Sequence, residues 1–240
     1  MAGQEEKKGV RLNKLMSEAG LCSRREADRL IEAGKVTVDG QKALLGTMVL
    51  EGQSVCVNGR EIKAEEEKVL LVVNKPVGIV CTAEKREKNN IVDYLNFPKR
   101  IYPAGRLDKD SEGLLLMTND GELMNKLIHA RECHEKEYIV TVDKKITPEF
   151  MERMSDGVPI LDTVTRKCKV EAVREKTFKI VLTQGLNRQI RRMCEYCGYR
   201  VVRLKRTRIM NITLGNLKPG EYRQVSKKEL EQVKELLFRS

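Results

Sequence analysis

The 240-residue sequence has no tryptophan, only 4% aromatic residues and two histidines, and no long uninterrupted apolar run. Each shortage removes a class of function. A broad base-stacking platform needs several aromatic rings, so at most one well-placed tyrosine can stack on a nucleotide. His129 and His134 lack an H-E-x-x-H arrangement, which leaves little for metal or histidine-base catalysis. No stretch approaches the roughly 18 to 20 apolar residues of a membrane span, and the polar start "MAGQEEKKG" resembles neither a secretory signal nor a transit peptide. A cytoplasmic protein without membrane attachment is expected. The seven cysteines are odd in number and scattered, which predicts reduced, mostly buried thiols rather than a disulfide framework. A glycine-rich phosphate loop is also missing.

What is plentiful is positive charge. Lysine and arginine outnumber aspartate and glutamate by 46 to 35, for a formal net charge of +11. The excess is concentrated. Residues 185–208 hold Arg188, Arg191, Arg192, Arg200, Arg203, Lys205, Arg206 and Arg208 against the single acid Glu195. Such a cluster points to a polyanion, because neutralising phosphates releases counterions and supplies sequence-independent affinity.

Periodicity divides the chain. "RLNKLMSEAG" places Leu12, Leu15, Met16 and Ala19 at helical spacing with Gly20 as its stop, and in "SRREADRLIEAG" Ser23 and Glu26 form a capping box ended by Gly34. "KVTVDGQ" and "QSVCVNGREI" then alternate apolar residues around Asp39-Gly40 and Asn58-Gly59, which predicts hairpins. Residues 1–62 thus form a small unit, 63–68 a polar acidic linker, and 69–240 a second domain. In the latter, "VLLVV", "GLLLMT", "EKEYIVTV" and "TFKIVLTQG" read as strands. Helices are expected at "NNIVDYL", after a capping box of Asn119 and Glu122, at "TPEFMERMSDG", at "NRQIRRMCEYCG", and after Ser226 with Glu229. The fold class is α+β, with a mixed, largely antiparallel sheet in the larger domain.

Within this basic chain, "GRLDKDSEGLLLMTND" crowds Asp108, Asp110 and Glu112 into one loop. The run imitates a calcium loop from Asp108 but has Leu116 and Asn119 where the later ligands belong, and "LLLMT" reads as a strand. Cys194 and Cys197 have the spacing of half a zinc site without a second half, so packing on a helix explains them better. No metal is expected. An aspartate at the mouth of a basic groove repels RNA phosphates, a cost best explained if the carboxylate reacts with or orients a nucleotide.

Two resemblances sharpen this. "RLNKLMSEAGLCSRREADRLIEAGKVTVDGQ" resembles the αL RNA-binding domain named after the fourth protein of the small ribosomal subunit, which implies that Arg11, Lys14, Arg24, Arg25 and Arg29 face RNA. Further on, "NKPVGIV", "GRLDKDSEGLLLMTNDG", "KEYIV" and "GLNRQIRRM" resemble, in order, the motifs of pseudouridine synthases, in the branch acting on ribosomal RNA and nearest the F type among its large-subunit enzymes. That resemblance implies Asp108 as the catalytic aspartate, Tyr138 beside the target base and Arg191 as the basic residue paired with the aspartate. Arg106, Asn187, Arg188 and Arg192 are the accompanying RNA-binding candidates, while Asp110 and Glu112 shape the loop, contact Lys109 or orient Arg106. The implied reaction needs no cofactor, since uridine and pseudouridine are isomers. Whether the aspartate attacks the sugar, attacks the base or removes a ribose proton is left open. The expected partner is structured RNA, ribosomal above all with transfer RNA as a second class, and the expected state is a monomer. A non-catalytic ribosome-binding or assembly factor is the competing reading.

Overall fold

A computed structural model describes residues 9–63, 67–84, 86–129 and 134–238. The helical spacing of Leu12, Leu15 and Met16 becomes α1 (Leu12–Glu18), preceded by the short strand β1 (Val10–Arg11) and followed by Gly20 in a left-handed turn. In α2 (Arg24–Glu32) the Ser23 hydroxyl accepts the Glu26 N–H at 3.1 Å, as the capping box requires. Asp39-Gly40 joins β2 (Val36–Val38) to β3 (Gln41–Lys42), and Asn58-Gly59 joins β5 (Val55–Val57) to β6 (Arg60–Glu61). All four turn residues have positive φ, the geometry whose twist matches that of the paired strands. β2 also pairs with β5, giving a four-stranded sheet in the order β3-β2-β5-β6, while β4 (Met48–Val49) pairs with β1. Leu12, Met16, Ala27, Ile31, Val36, Val49 and Val57 form the core of this first unit, which comprises the chain up to Lys68 together with Pro98–Arg100. Residues 64–66 of the expected linker lie outside the described residues.

The second unit is Val69–Phe97 with the chain from Ile101 onward. Its strands are β7 (Leu70–Lys75), β8 (Tyr102–Pro103), β9 (Glu112–Thr118), β10 (Lys136–Val142), the separate hairpin of β11 (Pro159–Ile160) and β12 (Thr163–Val164), then β13 (Lys169–Arg174), β14 (Thr177–Leu182), β15 (Val201–Ile209), β16 (Ile212–Thr213) and β17 (Tyr222–Gln224). One sheet runs β13-β14-β10-β15-β9-β7-β17, with β16 on β15 and β8 on β9. Only β9 and β15 pair in parallel among the described strands. The mixed, largely antiparallel α+β architecture is therefore present.

Helices α3 (Ile91–Leu95), α4 (Gly121–His129), α5 (Pro148–Asp156), α6 (Gln189–Tyr196) and α7 (Lys227–Phe238) complete the unit. The near-continuous apolar runs of β7 and β9 have a direct cause, since both strands are covered on both faces. Leu70, Val72, Leu114 and Leu116 pack with Leu123 and Leu127 of α4 and Val233 of α7, whereas Leu71, Val73, Leu115 and Met117 pack with Ile91, Ile101 and Leu107. Each such buried side chain contributes about 1.5 to 3 kcal/mol relative to exposure. One cap differs from expectation. Asp120, rather than Asn119, caps α4 by accepting the N–H groups of Glu122 (3.0 Å) and Leu123 (3.1 Å), because the Asn119 side chain accepts from Val69 N at 2.8 Å instead. A tertiary donor outcompeted the local one. Ser226 and Glu229 exchange both bonds of their capping box, at 3.2 and 2.9 Å.

Candidate active site

The acidic loop leads directly into β9, and Gly113 determines how closely the two can sit on the sheet. In the parallel pairing Gly113 stands opposite Arg206 of β15, at φ 109°. A Cβ at this position would lie 2.7 Å from the Arg206 backbone nitrogen and nearer still to its carbonyl oxygen, so only glycine allows the approach. Upstream, Ser111 N donates to Asp108 O (3.1 Å), which closes the loop into a turn.

The three acids then have different fates. Glu112 is buried and pairs with Arg203. Asp110 accepts both ends of the Arg188 guanidinium at 3.1 and 3.0 Å and lies 3.3 Å from Arg191 Nε. Partial burial raises the pKa of Asp110, but the Arg188 hydrogen bonds and the charges of Arg191 and Arg188 outweigh it and hold the carboxylate below its ordinary range. Asp108 makes no side-chain hydrogen bond among the described residues; its one ion pair is with Arg188 at 3.8 Å. Among the described residues the side chains bonded or paired to Asp110 and Glu112 are Arg188, Arg191 and Arg203, not the expected Lys109 and Arg106. Those two acids are taken by arginines from α6 and β15.

This corrects the expected pairing of Arg191 with Asp108. Arg191 donates to Asp110 O (2.8 Å), Ser111 Oγ (3.2 Å) and Val201 O (3.4 Å), so it fastens the back of the loop rather than the Asp108 carboxylate. The reason is helical geometry. Arg188 is the N-cap of α6, in a left-handed conformation (φ 49°, ψ 34°) that is uncommon for a side-chain-bearing residue, while Arg191 lies inside the first turns of the helix. Arg192 is held by Asn187, whose main-chain and side-chain oxygens accept from it at 3.1 and 3.4 Å. Arg106 is exposed and makes no hydrogen bond or ion pair among the described residues.

Tyr138, Arg206 and Gly113 form one row across the adjacent strands β10, β15 and β9. Arg206 is only 6% exposed, and its Nε donates to Leu114 O at 2.7 Å. With Asp108, Arg106, Lys136, Asn187, Arg188 and Arg191, the first two of this row line a cleft of about 660 Å³. Tyr138 is half-buried against two core clusters and its hydroxyl has no partner among the described residues, which leaves a ring face and a polar tip for a ligand. His134 also lines the cleft, and burial together with the Lys136 charge lowers its pKa. The His129 side chain lies outside the described residues.

Sequence reasoning overcounted the phosphate-facing cations of residues 185–208. Arg206 is buried, Arg203 is held by Glu112, and Arg208 donates to Glu135 (2.9 Å) and Met210 O (2.8 Å). It also passed over Arg206 as a cleft residue. Lys75 is fully buried and donates to Pro76 O (2.9 Å) and Ile79 O (2.8 Å). A signal existed for Arg206, which shares the inward alternation of β15 with Leu204. In the first unit Arg11, Arg24 and Arg25 are exposed, Arg29 pairs with Glu26 (3.2 Å) and Lys14 with Glu18 (3.6 Å). Cys194 is fully buried in the core and Cys197 packs beside it, in keeping with the packing role expected for the pair.

Residues 69–196 match the RNA pseudouridylate synthase family and residues 10–55 the S4 domain. The chain is 57% identical over 223 residues to the dual-specificity RNA pseudouridine synthase RluF of Salmonella typhi, covering 92% of this chain and 77% of that protein. It is 37% identical over 236 residues to the ribosomal large subunit pseudouridine synthase B of Bacillus subtilis, covering 94% and 96%. A crystal structure of a pseudouridylate synthase superposes with a TM-score of 0.67 at 26% identity, over 93% of this chain and 99% of the other.

Proposed function

This chain belongs to the RNA pseudouridylate synthase family and isomerises uridine in RNA to pseudouridine, and from that premise we propose that Asp108 is the reacting group. The observation that carries the proposal is the division of the three loop acids. Asp110 and Glu112 are tied up by arginines, whereas Asp108, whose carboxylate makes no hydrogen bond among the described residues, lines the same cleft as Tyr138 and Arg206.

The reaction breaks the bond between uracil N1 and ribose C1′, turns the base, and joins C1′ to C5. N1 takes up a proton and C5 gives one up, so the isomerisation balances without an oxidant or reductant. The base must first leave its stack. Tyr138 then packs on the extracted uracil, Arg188 orients the Asp108 carboxylate through their ion pair, and Arg206 brings a guanidinium to the lining of the cleft. Arg191 serves the reaction by anchoring the loop. Arg106, Asn187, Arg188 and Arg192 meet the surrounding RNA, and residues 1–62, through Arg11, Lys14, Arg24, Arg25 and Arg29, dock the enzyme on a structured region. Residues 63–68 act as the linker and 69–240 as the catalytic domain.

The target we propose is large-subunit ribosomal RNA, with transfer RNA as a second class of substrate; the name of the Bacillus relative supports the first choice, and the dual specificity in the name of the Salmonella relative supports there being a second. The enzyme works as a cytoplasmic monomer. Tritium release from RNA labelled at uridine C5 tests the central assignment. Asp108→Asn, nearly isosteric, is expected to abolish release while RNA affinity stays within about threefold, since one carboxylate is removed and no phosphate contact is lost. Near-normal release by the variant would remove Asp108 from the chemistry, and no release by the wild type on any ribosomal RNA fragment would favour a non-catalytic assembly factor.

A further inference from the structure

The segment Pro76–Cys81, which follows β7, is bonded to the acidic loop at two points. Gly78 N donates to Lys109 O at 2.7 Å, and Leu107 N donates to the Cys81 sulfur at 3.4 Å. Lys109 and Leu107 are the two neighbours of Asp108 in the chain, so the segment grips the loop on either side of the reacting residue. Beneath it Lys75 bonds Pro76 O and Ile79 O, which holds the segment in its curved path.

The two grips differ in kind. The first joins main chain to main chain and survives any side-chain change. The second depends on a single side chain. Cys81 and Leu107 are each only 8% exposed, so water cannot easily replace the sulfur as acceptor for the Leu107 N–H. Cys81 also borders the cleft, whereas Cys194 and Cys168 sit in or against the core that α5 and α6 help to form. Simple packing would be served by alanine, which is smaller, or by valine, which is larger by about one methyl group, and neither has an acceptor.

We propose that Cys81 is a positioning residue for the isomerisation: by accepting the Leu107 N–H it sets where the Asp108 carboxylate sits, and it does not itself touch the uridine. Without the acceptor, the buried amide finds a partner only if the loop moves, and Asp108 moves with it. The chemical step then suffers while the RNA grip, which relies on cations elsewhere, persists. A small misplacement of a reacting group costs about 10²-fold in rate. The inference rests on the reading of Asp108 as the reagent.

The test compares Cys81→Val, Cys81→Ser and Cys81→Ala in the full-length protein, by single-turnover tritium release from a C5-labelled large-subunit ribosomal RNA transcript and by binding to that transcript. Thermal unfolding of each variant is recorded alongside. The valine and alanine variants are expected to react about 10 to 100-fold more slowly with RNA affinity within about twofold, and serine, whose hydroxyl can accept the same bond, to recover most of the rate. Rates within twofold of wild type for valine and alanine would overturn the proposal, as would serine and alanine reacting equally slowly. Should the valine variant unfold below the assay temperature, the serine and alanine pair decides by the same criterion. Asp108→Asn measured in parallel separates the two ideas: its retention of turnover would sink the reading of the site itself, whereas its inactivity together with wild-type rates for alanine would sink the role of Cys81 alone.

Discussion

Arg24 and Arg25 of the first unit are exposed and make no ion pair among the described residues, whereas Arg191 and Arg206 of the second are largely buried and donate to main-chain oxygens at 2.8 and 2.7 Å. The formal charge is the same in both places. In water a guanidinium is a mobile counterion, available to a phosphate wherever one approaches, and worth little in a fixed geometry. Inside a cleft it has lost that freedom and gained direction, so its contribution is to the placement of particular atoms. On the proposed assignment the first unit supplies RNA affinity and the second the chemistry, and substitutions should separate these quantities.

The largest effect should come from breaking the sheet contact that places Arg206. Gly113→Ala forces a Cβ against the Arg206 backbone at a left-handed φ, and we expect a loss of about 3 kcal/mol or more in unfolding free energy, with turnover lost alongside. Chemical denaturation checks the first and tritium release the second; unfolding indistinguishable from wild type would show that β9 and β15 can part without cost. Next, Arg206→Met keeps the bulk of the side chain and removes its charge. Turnover is expected to fall about 10² to 10³-fold, comparable to removing a preorganised donor from a reaction site, with RNA affinity changed less than threefold.

A smaller effect follows from exchanging direction for charge alone. In Arg191→Lys a single ammonium cannot reach Asp110 O, Ser111 Oγ and Val201 O together, so kcat should drop about tenfold while KM barely moves. An unchanged kcat would mean that charge at this position suffices. Arg223 extends the comparison to stability, because it is fixed by Glu229 through two bonds of 2.8 Å, far from the cleft residues in sequence. Those hydrogen bonds are the main cause that lowers the Glu229 pKa from 4.5 to about 2. Since the folded value lies below the ordinary one, the stabilisation is fully present above about pH 4.5 and disappears as the pH falls towards 2. Glu229→Gln should accordingly cost roughly 1 to 3 kcal/mol at pH 7 and almost nothing near pH 2. A cost independent of pH would assign the effect to the Ser226 cap instead.

The smallest effect per residue belongs to the exposed side of the comparison. Arg24→Ala and Arg25→Ala should each reduce the slope of log affinity against log salt by about 0.7 to 0.9, raising KM at moderate salt and leaving kcat at saturating RNA within about twofold. An unaltered slope would take these two arginines out of the RNA contact and narrow the docking surface to the remaining cations of the first unit.

Local signals were legible wherever a residue's partner is near it in sequence. Ser23 and Ser226 cap the helices expected of them, at 3.1 and 3.2 Å, Thr147 caps the helix expected at "TPEFMERMSDG" at 3.1 Å, and both hairpin turns of the first unit form at their Asx-Gly pairs. The one cap that moved, from Asn119 to Asp120, did so because the N–H of Val69, just ahead of β7, claimed the asparagine. The site shows the same division. Its membership, Asp108 with Tyr138, Arg188 and Arg191, follows from motifs in the chain, but which arginine meets which acid does not.

What the sequence determined by itself, then, is whatever depends on short-range spacing: helices at period 3.6, hairpins at Asn-Gly and Asp-Gly, the two-unit composition and the presence of three acids in one loop. The tertiary structure alone decided which of those acids remained available. Glu112 met Arg203 and Asp110 met Arg188 and Arg191 only because β9 and β15 lie side by side and α6 begins at the loop, bringing together residues some 78 to 91 positions apart. Ion pairing and desolvation fall off within a few ångströms, so a charge's role is set by its neighbours in space, and the proposal of Asp108 as the reagent rests on the fold having left it the carboxylate without a hydrogen-bond partner among the described residues.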